Sequence, residues 1–540
     1  MAPFRQAPAV FQPSPFANYQ TLFEYFSMGS IVHNHKHVLV YAFPVAWGHN
    51  KPLCPFVVHM LDSDPEVVIT YFTAGILYSK IVGEFKRLPA AKYDALQSRL
   101  HIIDIAGSEI DLTKPVESFA PAFESLYSSA PITCRSSGKT IGGLPSPSLA
   151  IIDPFTNYAY EAVWSISSRT VPILAWWTSN AGALIRVVGP AHLGGVAAPA
   201  LESAEGRAAK KRELLAREPL KYHDRVGSTV HIAGLDPHYD YEWFPQKTKL
   251  IDAGALFETL GTIYTREADG IICVSGSSFE PEATAAVKQW FSSMNKSWYS
   301  IGPLSLDDLE GKSASTRGSE ADAPVEEFLN RIENEFGPRS LIYISFGTYF
   351  WPEVDDRLWA VIDGLLEKRQ PFLFAHPSPL QKFPDEIKKK ISDSGIAMEL
   401  VWSPQELILA HPVTGWFISH GGWNSTQESF KYYVPQIFWP FQADQPTNAF
   451  RLTTIKAGFE LIEIRTGEDG TRIPYGYKEL PEFTAASAKA EIGGLIEKLK
   501  GEEGAIVRAN HRTLSDAMNK QWSSDGDSRQ EFVSFMKKYV

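Results

Sequence analysis

The sequence predicts an α/β protein made of two large domains, each a parallel sheet covered by helices, and three observations carry that expectation. Short apolar runs (Val38-Leu39-Val40, Leu149 to Ile152, Ile271 to Val274, Leu341 to Ile344, Trp416 to Ile418) alternate with longer helix-forming stretches. That is the rhythm left by parallel strands and crossover helices. The chain has 540 residues, too many for one core when domains run to roughly 100 to 200 residues, and two Rossmann-like halves with insertions fit. Polar and glycine residues stand directly after the apolar runs: Gly48-His49, Asp153, Gly347-Thr348 and His420 to Ser425. In doubly wound sheets, ligands collect beyond the carboxyl ends of the strands.

Along the chain, residues 1–30 are Pro-rich (MAPFRQAPAVFQPSPFANYQ at the start) and lack the apolar core of a secretory signal; a disordered extension is expected there. Residues 31–304 form the first domain, in which the charge-laced stretch 200–220 (ALESAEGRAAKKRELLAREPL) reads as a solvated, inserted helix. The small, polar stretch 305–323 (SLDDLEGKSASTRGSEADA) reads as the linker. The second domain spans 324–515, and 516–540 are expected to form a C-terminal helix packing back on the first domain. No run of 18 apolar residues occurs, and the chain ends in EFVSFMKKYV, so no membrane span is expected. Cys54, Cys134 and Cys273 are far apart and form no C-x-x-C pair, which suits packing roles in a reducing compartment. A soluble cytoplasmic protein follows as the expectation. The formal net charge of -11 gives no electrostatic reason to expect nucleic acid or an anionic membrane as partner.

The densest chemical signal is Trp402 to Gln445, WSPQELILAHPVTGWFISHGGWNSTQESFKYYVPQIFWPFQADQ. The apolar run ending at Ile418 leads into His420-Gly421-Gly422-Trp423-Asn424-Ser425, where two glycines let backbone approach a ligand and a helix begins. Such a strand-to-helix junction is a ready anion site. With a flat indole before it and Asp444-Gln445 after it, the stretch offers a surface for a base, a cradle for phosphate and a clamp for a sugar.

This stretch resembles, position by position, the signature box of the family 1 UDP-dependent glycosyltransferases best known from plant secondary metabolism: W-x-P-Q, H, H-x-G-W-N-S, E, P, D-Q. Further similarity lies at HVLVYAFPVAWGHN (37–50), IIDPF (151–155), WTSNA (177–181), IGPL (301–304) and YISFGT (343–348). The chain departs from the pattern at Tyr433, where the family usually has Gly, and in its first 30 residues. The resemblance implies the GT-B architecture, two facing Rossmann-like domains with a cleft between them. It also implies a UDP-sugar as co-substrate, no metal, and a hydroxylated small molecule as acceptor.

Residue by residue, the resemblance assigns Trp402 to stacking on uracil, the Ser403 backbone to the uracil edge, Gln405 to the ribose and Glu428 to both ribose hydroxyls. Trp402 could instead be a core residue, and Glu428 could close an S-x-x-E capping box with Ser425. His420, Asn424, Ser425 and Thr348 would surround the diphosphate, with the helix N-terminus favouring its charge. Donors preset around departing UDP would then stand in for a metal. Asp444 and Gln445 would bind sugar hydroxyls with Trp423 nearby, Asp444 having helix capping as its rival role. Gln445 resembles glucose users more than galactose users.

An alcohol or phenol attacks the anomeric carbon poorly unless a base with pKa near neutrality takes its proton, and histidine supplies one. His49 matches the family's catalytic histidine, and Asp153 the carboxylate that orients it; without the resemblance, His49 would read as a turn residue. Direct displacement inverts the anomeric centre through an oxocarbenium-like transition state, giving a β-glycoside. Trp47, Phe155, Trp176 and Trp177 are candidates for the acceptor pocket, with core packing the equal alternative. A non-catalytic UDP-sugar binder, and a UDP-sugar epimerase or hydrolase on the same fold, remain as alternatives.

Three weaker signals stand apart. His33, His35 and His37 alternate as ligands on one strand face would. Ser136 to Thr140 imitates the end of a P-loop, although Thr133 stands where that motif requires Gly. Asn295-Lys296-Ser297 is a glycosylation sequon without a secretory route.

Overall fold

The computed structural model describes residues 36–108, 113–216, 225–248, 251–306, 322–381 and 383–540. The expected extension 1–30, His33 and His35, and most of the expected linker lie outside these residues.

Two parallel sheets organise the chain. The first takes β1 (Lys36–Tyr41), β2 (Val67–Thr73), β3 (Leu100–Asp104), β6 (Leu149–Ile152), β7 (Ile173–Trp177), β10 (Gly270–Cys273) and β11 (Ser297–Ser300) in the order β11-β10-β7-β6-β1-β2-β3. Between them, β4 (Ile132–Thr133) pairs with β5 (Thr140–Ile141), and β8 (Thr229–Val230) with β9 (His238–Tyr239), as short antiparallel ribbons. The second sheet takes β12 (Leu341–Ser345), β13 (Phe372–Ala375), β14 (Ala397–Leu400), β15 (Thr414–Ser419), β16 (Gln436–Phe438) and β17 (Gly458–Glu460) in the order β14-β13-β12-β15-β16-β17. This is the two-sheet arrangement of the GT-B fold.

Helices cover both faces of each sheet, which is why the strands read as unbroken apolar runs. Along β1, Leu39 and Tyr41 enter one core while Val38 and Val40 enter the other, and along β12 Ile342 and Ile344 part in the same way from Leu341 and Tyr343.

In each sheet the strand order reverses beside the first strand. β1 lies between β2 and β6, with Tyr41 opposite Ile152, so the segments that follow these strands emerge side by side. β12 lies between β13 and β15, with Ser345 opposite Ser419. Chain direction and register therefore create two crevices before any functional side chain is considered.

The charged insertion is a helix, Ala204–Leu215, with no buried residue; Ser203 caps it by accepting from the Gly206 N–H. At the other end, the helix Glu502–Asn519 runs through the expected domain boundary at 515. The helix Asp527–Tyr539 then sets Phe532 and Phe535 into the first half, against Phe56 at centroid distances of 5.9 and 5.6 Å. Tyr433, the departure from the expected glycine, keeps a left-handed backbone (φ 58°), and its hydroxyl donates to Asp516 Oδ1 at 3.0 Å. The loop thus retains the conformation a glycine would favour.

The weaker signals find structural uses. His37 is fully buried between Thr70 Oγ1 and the Pro145 carbonyl, and burial pushes its pKa down to about 4. Ser136 to Lys139 form the turn between β4 and β5, with no helix following to hold a phosphate.

Candidate active site

The first crevice holds the His49–Asp153 pair. His49 sits in the short helix Trp47–Asn50 just beyond β1, and Asp153 is the residue after β6. The adjacency of the two strands closes a separation of 104 residues to 2.6 Å between His49 Nδ1 and Asp153 Oδ2. Asp153 is fully buried and held in place, accepting from the Phe155 N–H at 3.0 Å on Oδ1. Its bond to Nδ1 sets the proton there and leaves the Nε2 lone pair for an acceptor. Buried Asn50 fixes the loop beneath by donating to the carbonyls of Phe43 and Ala46, both at 2.9 Å, and Trp176 Nε1 donates to the His49 carbonyl at 3.0 Å.

Burial works against an imidazolium at His49, but the charge and hydrogen bond of Asp153, with the charge of Asp444, outweigh it and raise the pKa above 6.5. A base must be neutral to act. The sign is therefore fixed: kcat/KM should rise with pH, with its acidic limb above 6.5. A pH profile under subsaturating donor checks this, and a limb below the ordinary histidine value would remove His49 as the titrating base.

Aromatic rings stand around His49. Phe43 and Phe155 lie 5.9 and 6.0 Å from its ring, and Phe257 contacts both of them at 5.8 and 5.3 Å. Of the four residues expected to line an acceptor pocket, Phe155 is placed beside His49. Trp47 is partly buried against the core. Trp176 and Trp177 need correction: they are core residues on opposite faces of β7, with indole nitrogens spent on the His49 and Asn180 carbonyls. Phe43 and Phe257 were not anticipated.

The second crevice lies where β12 and β15 end. Gly421 has φ 80°, and a Cβ there would come within 2.8 Å of the Phe438 ring; at Gly422 it would come within 2.5 Å of His420 Nε2. Gly347, after β12, would likewise meet the His420 ring at 2.9 Å. Only glycines let the imidazole lie in this crevice. Burial lowers the His420 pKa to about 4, so the ring is neutral near pH 7, and its Nδ1 is buried without a hydrogen-bond partner. The helix Trp423–Lys431 begins here with Gly422 as its N-cap, which has no side chain to cap the first turn. Ser425 lies inside that turn, so it forms no capping box with Glu428. Thr348 is exposed at the rim.

Trp402 is 59% exposed, so it is not a core residue, and Lys80 Nζ lies 5.3 Å from its ring centroid. Tyr343 ties the following turn, its hydroxyl 2.8 Å from Ser403 Oγ and 3.1 Å from Gln405 Oε1. Gln405 Nε2 donates to Glu428 Oε2 at 2.6 Å. Asp444 receives Ser179 Oγ, the Trp423 N–H and Asn448 Nδ2 at 2.9, 3.1 and 3.3 Å, all on Oδ2. It makes no side-chain cap to the helix Gln445–Thr454. Gln445 Oε1 accepts the N–H groups of Phe441 and Gln442.

Trp423 also needs correction. Its indole is buried against Phe279 at 4.7 Å and donates to the Val274 carbonyl, so it joins the two halves rather than facing a sugar. Asn424 likewise reaches across, its Nδ2 2.8 Å from the Gly48 carbonyl. The helix Trp423–Lys431 and the turn bearing His49 thus face each other in contact.

Residues 313–469 match the family model described as UDP-glucoronosyl and UDP-glucosyl transferase. A UDP-glycosyltransferase of Hericium erinaceus is 25% identical over 514 residues, spanning 91% of this chain and 97% of that protein. A UDP-glycosyltransferase of Arabidopsis thaliana is 36% identical over 253 residues; the match spans 44% of this chain and about half, 48%, of that relative's length. The solved structure of a Medicago truncatula UDP-glycosyltransferase complexed with UDP-glucose covers 94% of this chain at 19% identity, with a TM-score of 0.65 and 99% of its own length matched. A Siraitia grosvenorii transferase complexed with UDP superposes with a TM-score of 0.66 at 19% identity, over 93% of this chain and all of that one. The chain is thus similar over nearly its whole length to a UDP-glycosyltransferase, and it shares the fold of the solved transferases.

Proposed function

We propose that this enzyme transfers a hexose, glucose, from its UDP-sugar to a hydroxyl of a small apolar or phenolic acceptor, inverting the anomeric centre to give a β-glycoside. The observation that carries the reading is the His49–Asp153 pair, held at 2.6 Å on a turn in direct contact with the helix Trp423–Lys431. His49 Nε2 takes the acceptor proton as its oxygen attacks, and Asp153 stabilises the imidazolium that forms. Trp402 stacks on uracil and Glu428 accepts from the ribose hydroxyls. Asp444 and Gln445 hold the sugar.

The leaving diphosphate gathers charge as the bond breaks. Thr348, neutral His420, Ser425 and the first-turn amides of the helix supply donors there, with Asn424 at the same helix start. These are partners for phosphate oxygens rather than the carboxylate set a hard cation prefers, which supports transfer without a metal. Phe43, Phe155 and Phe257 beside His49 support an apolar or aromatic acceptor. Relatives support the same class: a Gentiana triflora protein is named an anthocyanin 3'-O-beta-glucosyltransferase and a Manihot esculenta protein a linamarin synthase. Three buried, unpaired cysteines suit a reducing compartment, the cytoplasm.

The test is product analysis with UDP-glucose and a panel of phenols, sterols, terpenoids and hydroxy fatty acids. A β-glucoside with release of UDP is expected; a free or epimerised sugar, or binding without turnover, would overturn the reading.

A further inference from the structure

Two residues after His49, Lys51 crosses to the other half of the molecule. Its Nζ donates to Glu428 Oε1 at 2.7 Å and to Glu406 Oε1 at 2.9 Å. Arg87 holds the other oxygen of Glu406 at 2.7 Å, and Glu84 faces Arg87 at 2.8 Å. Lys51, Glu84, Arg87, Glu406, Asn424 and Glu428 line one cavity between the halves. Burial opposes the charge on Lys51, but Glu428, then Glu406 and Glu84, outweigh it and hold the ammonium above its ordinary range.

Glu428 is therefore gripped on both sides, by Lys51 at Oε1 and by Gln405 Nε2 at Oε2. Each carboxylate oxygen accepts two hydrogen bonds, so one site stays open on each, the pattern a vicinal diol can fill. The same turn is tied a second time through Asn424 Nδ2 and the Gly48 carbonyl.

We propose that Lys51 is a positioning residue of the donor site, holding Glu428 toward the ribose hydroxyls and registering that contact against His49 on the same turn. The inference rests on the assignment of Glu428 to the ribose. Without the ammonium, Glu406 and Glu428 face each other as like charges, and Glu428 swings away from the position that meets the ribose.

The experiment is calorimetric titration of UDP and of 2′-deoxy-UDP into the wild type, Lys51→Met, Lys51→Arg and Glu428→Gln, each checked for an unchanged melting transition. Lys51→Met is expected to weaken UDP by about tenfold or more, the worth of a hydrogen bond to a charged group, and to shrink the preference for UDP over the 2′-deoxy form. Lys51→Arg is expected to restore both. A general loosening of the fold would weaken the two nucleotides equally. If Lys51→Met does not fold, Lys51→Gln combined with Glu406→Gln, which removes one charge of each sign, carries the same comparison. An unchanged nucleotide preference alongside a weakened Glu428→Gln overturns the role of Lys51 alone; unchanged UDP affinity in Glu428→Gln overturns the ribose assignment beneath it.

Discussion

His49→Ala is expected to lower glycoside formation by about 10²- to 10⁴-fold, the usual worth of a positioned general base, while UDP binds as in the wild type. The two effects separate because His49 stands on the turn beyond β1, whereas the proposed nucleotide anchors Trp402, Gln405 and Glu428 belong to the other half. The loss should sit in kcat, since proton removal occurs as the acceptor attacks and adds nothing to donor binding in the ground state. Single-turnover assays under saturating UDP-glucose, with UDP titrated separately, measure both quantities. Turnover within a few-fold of wild type would take His49 out of the chemistry.

Asp153→Asn should bring a loss of about the same size, although the new side chain has nearly the same shape. Asp153 Oδ2 faces His49 Nδ1 at 2.6 Å and takes a long bond, 3.4 Å, from the Phe43 N–H, while Oδ1 accepts the Phe155 N–H at 3.0 Å, the shorter backbone bond, which orients the carboxylate. In the asparagine variant the backbone bond keeps the carbonyl oxygen in that place, so the NH₂ turns toward the imidazole. The ring must then accept at Nδ1 and carry its hydrogen on Nε2, the wrong tautomer for a base. The charge that raised the His49 pKa is lost as well, while burial still depresses it. The residual activity should accordingly show its acidic limb displaced to lower pH. Full activity with an unmoved limb would mean that Asp153 neither orients nor charges the histidine.

The strands could be read in the sequence because both faces of each sheet are covered, which makes every strand a short apolar run with a chemical residue at its end. His49, Asp153, Thr348 and His420 were singled out by that position together with the signature, and chain topology then explains why His49 meets Asp153 and why Gly347 lies against the His420 ring. The contacts between the halves left no such trace. Lys51 with Glu428, Asn424 with Gly48, and Ser179 with Asp444 depend on how two separately folded sheets face each other, and no periodicity records that. Trp423 shows the limit most clearly, since an aromatic inside a ligand-binding motif looks the same whether it faces the ligand or the opposite domain. Trp176 and Trp177 carried a usable signal: adjacent residues on an interior strand point to opposite faces, and here both faces are core. Phe257 had none, because its place against Phe43 and Phe155 comes from a helix that begins some 200 residues later in the chain, at Ile251.

Phe535 in the last helix lies against Phe56, Phe56 lies 5.3 Å from Trp176, and Trp176 donates to the carbonyl of His49. Three side chains thus connect the proposed base to the last helix of the chain. A fragment ending before Asp527 would keep every segment that resembles the UDP-glycosyltransferases and still lose the outermost of these contacts, Phe535 on Phe56.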